Sequence, residues 1–320
     1  MLNTSRILIP LIAIFIISSL PIMSINAELP PLKQLKQGHH VDVVCADGFQ
    51  LVLKQSNGSP KCIKLSSVEK LIQRGWAIHV LTYSDENNNS EIFTMGKYDV
   101  QTDTVNYSES NSGYLARPVS DESFPGVIMI HEWWGLNNNI KDMAKKLASH
   151  GYVVLAVDLY GGHVATTSEE ARQLVTSFDK DNGVQNMDSA ISYLDDNYSP
   201  ESIGSIGWCF GGGQSLNLAL NNPSLNATVI YYGSLVTDSD SLSVIHWPVL
   251  GIFAELDKGI TTNTVHDFEN SLNQLGIQNE IIIYPGVDHA FANPSGLNYA
   301  PEESQDAWQK TLEFLDSNLK

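Results

Sequence analysis

Cations are scarce in this chain of 320 residues: 18 Lys and Arg stand against 36 Asp and Glu, for a formal net charge of −18. Binding to nucleic acid needs clustered cations that neutralise phosphates, so the composition argues against that partner class. The same charge gives no attraction to an anionic membrane surface and favours solubility. Cysteine is scarce as well, with three in the chain. No histidines show ligand spacing: His131-Glu132 does not continue as H-E-x-x-H, because position 135 is glycine. No metal and no other cofactor is expected. Internal repeats and low-complexity tracts are absent. Beyond residue 27 no segment is apolar enough to cross a bilayer.

Residues 1–27 read as a targeting segment. Arg6 supplies a positive start, and Ile7 to Met23 is uncharged and apolar, though broken by Pro10 and Pro21. Ala27 suits a cleavage position, while Ile25 fits poorly two places before it. The run is short for a spanning helix, which needs roughly 17–25 residues. A cleaved signal is the expectation, with an uncleaved N-terminal anchor as the alternative, and no cysteine follows that could carry a lipid. Export suits the cysteines. Cys45 and Cys62 flank a polar stretch containing the turn signal Asn57-Gly58 and are expected to form a disulfide, the alternative being two unpaired buried thiols. Cys209 is then the odd thiol, which suggests a reactive role. Sequons open at Asn57, Asn88, Asn106, Asn197 and Asn226 and permit glycosylation outside the cell.

The chain divides by pattern. Residues 28–83 form a small module of short strands (Val41–Cys45, Phe49–Lys54, Lys61–Lys64) and one helix, Ser67–Arg74. Residues 84–112 read as linker and edge strands, with Ile92–Tyr98 and Val100–Val105 expected to pair, and Tyr114–Pro118 as a further edge strand. From there apolar runs alternate with amphipathic stretches: strands at Val127–His131, Val153–Val157, Ile203–Trp208, Ala227–Tyr232, Val249–Phe253 and Glu280–Tyr284. Helices are expected over Ile140–Ser149 (capped by Asn139), from the Thr167-x-x-Glu170 capping box to Phe178, and over Gly183–Tyr193, Gly212–Leu220, Thr262–Leu275 and Ser304–Leu319. This alternation specifies an α/β domain over 113–320, with a mostly parallel sheet flanked by helices.

Within that domain Gly207-Trp208-Cys209-Phe210-Gly211 reads as a nucleophile elbow, G-x-S-x-G, with cysteine in place of serine. The two glycines let neighbouring backbone pass where a Cβ would clash. The turn presents the thiol at the start of a helix, where backbone N–H groups favour a negative charge. A thiol nucleophile needs a base, and the base needs an orienting acid. Asp257 and His289 follow in the order elbow enzymes use, each just past an expected strand, so all three converge at one rim of the sheet. Asp288 competes as the acid but is awkwardly placed beside His289. His131-Glu132-Trp133-Trp134-Gly135 ends the first strand of the domain. Trp133 and Phe210 are the candidates for the two oxyanion-hole N–H groups, and Glu132 could take the Cys209 proton or restrain the resting thiol.

These motifs, with Val157-Asp158-Leu159-Tyr160-Gly161 and His289-Ala290-Phe291, resemble the dienelactone hydrolase family over residues 113–318. The resemblance implies an α/β-hydrolase fold, a Cys209-His289-Asp257 triad, Glu132 as the resting partner of the thiol, and hydrolysis of a lactone of the carboxymethylenebutenolide kind. One departure matters. The family's substrate-carboxylate arginines fall at Gly162 and Asn293, neither of which offers a charged fork. A small neutral ester, thioester or lactone is therefore the expected substrate, handled through an acyl-thioester. The alternative is a non-catalytic ligand-binding or surface-interaction protein on the same scaffold. A papain-like protease is disfavoured by the lack of its local cysteine signature.

Overall fold

The computed structural model describes residues 45, 48–54, 60–74, 77–84, 90–94 and 96–320. The targeting segment, residues 41–44 of the first expected strand, the Asn57-Gly58 turn and the sequons at Asn57 and Asn88 lie outside the described residues.

Near the N-terminus a four-stranded antiparallel sheet has the order β2-β1-β3-β4. Its strands are β1 (Phe49–Lys54), β2 (Pro60–Lys64), β3 (Ala77–Ser84) and β4 (Ser90–Thr94). Helix α1 (Leu65–Gln73) follows β2, and its Val68 is buried with Val52 of β1, against Ile63 and Leu71. Cys45 and Cys62 form the expected disulfide. Two features depart from the sequence reading. β3 was not anticipated, although Ile78, Val80, Thr82 and Tyr83 have the β-branched and aromatic character that suits strands. β4 pairs with β3 (Leu81 opposite Phe93), not with the strand after it. The 85–89 connection is short enough to return the chain antiparallel, so the local hairpin forms instead.

The main sheet has eight strands in the order β12-β11-β10-β9-β7-β8-β6-β5. β5 (Val100–Asn106) and β6 (Ser112–Pro118) form an antiparallel hairpin along the edge beside β8. The other six run parallel: β7 (Gly126–Ile130), β8 (Val153–Val157), β9 (Ile203–Trp208), β10 (Ala227–Tyr231), β11 (Val249–Ala254) and β12 (Asn279–Tyr284). β7 to β11 are buried throughout, which is why they read as unbroken apolar runs. Alternate residues serve opposite layers. Val127 and Met129 pack under α2 (Asn138–Ser149) and the C-terminal helix α8 (Pro301–Leu319). Ile128 and Ile130 join the cluster with α4 (Lys180–Tyr198), α5 (Phe210–Asn221) and α7 (Thr262–Gln274). α3 (Ser168–Ser177) is largely exposed, with Ala171 its buried residue, and α6 (Ser239–Leu242) is a single turn.

Capping refines several ends. Asn137, not Asn139, caps α2: its side chain accepts the Ile140 N–H. Asp179 accepts from Asp181 and Asn182 and so starts α4 three residues ahead of Gly183. Pro301 opens α8, its missing N–H costing nothing in the first turn.

The chain leaves β7 toward β8 on one side and later returns to β9 on the other. Ligand crevices in open α/β sheets form where successive connections diverge in this way, beyond the strand carboxyl ends. The loop after β7 and the elbow after β9 meet there with almost no space between them. A Cβ on Gly211 would collide with the carbonyl oxygens of Ile130 and His131. Because both obstacles are backbone, Gly211→Ala is expected to lower the unfolding free energy by about 3 kcal/mol. Urea denaturation reads this as a fall in midpoint; an unchanged midpoint would contradict the packing.

Candidate active site

Four carboxyl-end loops build the site. β9 ends at Trp208, and Cys209 turns the chain sharply, with φ 55° and ψ −116°, before α5 begins at Phe210. A residue with a Cβ is strained in that region, and the surrounding contacts hold it there. The Cys209 N–H donates to the Tyr231 carbonyl at 3.0 Å, which ties the elbow to the end of β10. The thiol is half-buried at the helix start.

The loops after β11 and β12 bring the other two groups. Leu256 N–H donates to the Val287 carbonyl at 3.0 Å, and Gly286 N–H donates to the Glu255 carboxylate at 2.7 Å, so the two loops are stitched together. His289 Nδ1 lies 2.6 Å from Asp257 Oδ2, and Nε2 lies 3.1 Å from Cys209 Sγ. The remaining Asp257 oxygen accepts the N–H groups of Gly259 at 2.8 Å and Ile260 at 3.0 Å. Asp288 instead accepts the backbone N–H of His289 at 2.7 Å, which fixes the loop and leaves the ring to Asp257. The Asn298 side chain donates to the His289 carbonyl at 2.9 Å.

Charge follows from these contacts. Burial disfavours the imidazolium of His289, but hydrogen bonds to Asp257 and Cys209 and their charges outweigh it, and the ring is raised to about 10. Burial likewise pushes Asp257 upward. Its hydrogen bonds from His289, Ile260 and Gly259, with the imidazolium charge, hold it below the ordinary carboxylate value.

Glu132, just past β7, is buried at 3% exposure. Its carboxylate accepts a short hydrogen bond from the Asn293 amide, whereas the Cys209 sulfur is partnered by His289. Asn293 is buried too, and its own oxygen accepts from Ser295 N–H at 2.9 Å. Burial raises Glu132 to about 7, with the His289 charge and the Asn293 bond working the other way. Sequence reasoning missed this role of Asn293, since an amide four residues past a histidine carries no motif.

Trp133 is half-buried in the turn closed by Gly135 N–H on the Glu132 carbonyl at 3.2 Å. Phe210 is the first residue of α5, so its N–H has no intrahelical partner. Trp133 follows β7 in the chain and Phe210 follows Cys209. His131 is wholly buried: Leu159 N–H donates to its Nε2 at 3.1 Å, so Nδ1 carries the proton toward the Glu132 carbonyl at 2.6 Å. It braces the β7 and β8 loops. Asp158 accepts from Tyr160 N–H at 2.9 Å and Gly162 N–H at 2.5 Å, and so shapes the adjoining loop. Among the described residues four other than glycine have positive φ, and three of them, Cys209, Tyr232 and Ala290, surround the site. Among the described residues no group of His, Cys, Asp and Glu is arranged to hold a metal, and no helix is long and apolar enough to cross a membrane.

The main domain is similar to known proteins over most of its length. The dienelactone hydrolase family model matches residues 112–319. Protein usf of Aquifex pyrophilus is 34% identical over 65% of this chain and 93% of its own length. A Synechocystis protein described as "Putative carboxymethylenebutenolidase" is 29% identical, over 69% of this chain and 99% of its own. Among solved structures, a "Putative Dienelactone Hydrolase" from Klebsiella pneumoniae superposes with a TM-score of 0.63 at 26% identity, over 68% of this chain and 99% of that one.

The raised Glu132 generates a pH-dependent prediction. The unfolded chain ionises this group near 4.5 and the folded chain only near 7, so folding loses stability as pH rises through that window. Glu132→Gln removes the loss and can still accept from Asn293. Relative to wild type it should gain roughly 2–3 kcal/mol between pH 5 and pH 8. Urea unfolding at the two pH values tests this; a difference independent of pH would refute the buried charge.

Proposed function

The chain belongs to the dienelactone hydrolase family, and we propose that within it this protein is an exported, cysteine-dependent hydrolase of small neutral esters or lactones. That it is a hydrolase acting on ester or lactone bonds follows from the family and its carboxymethylenebutenolidase relatives. The cysteine mechanism rests above all on one observation, the Cys209 Sγ to His289 Nε2 contact at 3.1 Å.

In this reading His289 holds the thiol proton and Asp257 holds the imidazolium in line. The sulfur attacks the carbonyl carbon, and the carbonyl oxygen becomes an oxyanion facing the N–H groups of Trp133 and Phe210. Each such donor contributes roughly 3–4 kcal/mol in a known hydrolase. The tetrahedral adduct collapses, His289 gives its proton to the leaving alkoxide, and an acyl-thioester remains on Cys209. Water then attacks, His289 takes its proton and returns it to sulfur, and the acid departs. In a lactone the leaving alkoxide stays attached to the acyl group, so ring opening yields a single hydroxy acid.

A neutral substrate is favoured by chemistry rather than by pocket shape. Gly162 has no side chain to offer a carboxylate, and the Asn293 amide is already committed to Glu132. Export is supported by the Cys45–Cys62 disulfide, a bond that persists in oxidising compartments, and by the apolar sequence of residues 7–23.

Two outcomes follow. Cys209→Ala should lose at least about 1,000-fold in p-nitrophenyl acetate turnover, and intact-mass analysis of the quenched wild type should find an acyl adduct on Cys209. Equal rates in the two proteins would remove the nucleophile assignment. On expression in a host with a secretory pathway, the processed chain should begin near residue 28 and carry the disulfide; a cytosolic chain retaining Met1 would refute export.

A further inference from the structure

We propose that one water molecule lodged between Glu132, Asn139 and Tyr232 ties the Glu132 carboxylate to α2, which makes Tyr232 a positioning residue for the site. A small cavity is lined by Glu132, Asn139, Met143, Trp208, Tyr232 and Asn293 among others. It leaves about 10 Å³ for the centre of a water molecule, close to the room that a single water requires. No organic ligand fits such a space.

Its walls carry the second observation. The Asn139 side-chain oxygen and the Tyr232 hydroxyl are both buried and find no hydrogen-bond partner among the protein's own atoms. The hydroxyl lies beside the Ala292 backbone without completing a bond to it. Buried polar atoms are almost always satisfied, and two orphans facing one polar cavity point to a shared partner. Water supplies the matching chemistry: it accepts from the Tyr232 hydroxyl and donates one hydrogen to Asn139 and the other to a Glu132 oxygen. Three hydrogen bonds are the usual complement of a buried water.

The arrangement also accounts for two local oddities. Asn139 is displaced from the capping role by Asn137 and turned inward instead. Tyr232 is held at φ 34° although its side chain is fully buried, a backbone cost expected where a side chain must be aimed. The ring packs 5.2 Å from that of His289, centroid to centroid, so the same residue abuts both the base and the carboxylate's water.

The ionisable groups that act on Glu132 are His289 from the β12 loop and Tyr232 just past β10, and Tyr232 in turn feels Cys209 of the elbow; α2 contributes only the uncharged Asn139, Ile140 and Met143 to the cavity. A hydrogen bond donated to the carboxylate favours its charged form. Loss of the Tyr232 hydroxyl loosens the water and should raise the Glu132 titration midpoint.

This inference rests on the hydrolase reading only for its effect on rate, so its test is read separately from turnover. A crystal structure of the full chain should show one water within hydrogen-bond reach of Glu132, Asn139 and Tyr232. Carboxyl-carbon NMR of glutamate-labelled protein, with the Glu132 signal assigned by its loss in Glu132→Gln, should show the midpoint rising about half a unit in Tyr232→Phe. Asn139→Leu, which expels the water while keeping side-chain size, should move it the same way. Ester turnover by Tyr232→Phe should fall in kcat with KM unchanged. A dry cavity, or a Glu132 midpoint unmoved in both variants, overturns the proposal; a purely structural Tyr232 would lower the melting temperature and leave that midpoint in place. Should the water and the midpoint shift appear in a protein without esterase activity, the positioning stands and the functional reading falls.

Discussion

The imidazole of His289 sits between a buried carboxylate and a sulfur, and the surrounding rim is organised to keep it there. Asp257 cannot swing away, because two backbone N–H groups hold the oxygen that does not face the ring. The histidine loop cannot drift, because Asp288, Asn298 and the Glu255–Gly286 bond anchor it from three directions. Sulfur is fixed independently by the strained elbow, whose N–H is bound to β10. The acid and histidine loops are thus held to each other, the elbow has its own support, and the 3.1 Å sulfur–nitrogen contact joins the two. Preorganisation of this kind lets proton transfer proceed without moving the backbone.

Charge at the rim is balanced within a small space. His289 favours its protonated form through Asp257 and the sulfur, and that positive charge in turn favours ionisation of the otherwise disfavoured Glu132. Glu132 is thus the sensitive member. It is buried, it carries one amide hydrogen bond, and its charge depends on neighbours that themselves titrate. Salt screens the buried Glu132 and Asp257 less than the half-buried His289 and Cys209.

Much of the catalytic domain could be read from sequence because its signals are local. Continuous apolar runs such as Val153–Val157 arise because both faces of a parallel strand are covered, and the order Cys209, Asp257, His289 places all three at strand carboxyl ends. What sequence concealed was partnership. Asn293 and Asn139 look like loop and cap residues, and only packing shows one holding Glu132 and the other facing a buried cavity. The pairing of β4 was misjudged because two strands adjacent in sequence looked like a hairpin, while each had a closer antiparallel partner on its other side. Helix starts shifted for a similar reason: several polar residues compete to cap, and side-chain geometry decides which succeeds, as at Asn137 and Asp179.

The central claim is that His289 rests as an imidazolium bridging Asp257 and Cys209. Nitrogen-15 NMR of the ring, followed from pH 5 to pH 11 in the intact protein and assigned by comparison with His289→Gln, tests it most directly. The account predicts that both ring nitrogens stay protonated through neutral pH and that the proton is lost only near 10. A ring that titrates at the ordinary histidine value near 6.5, with no response to Asp257→Asn, would contradict it.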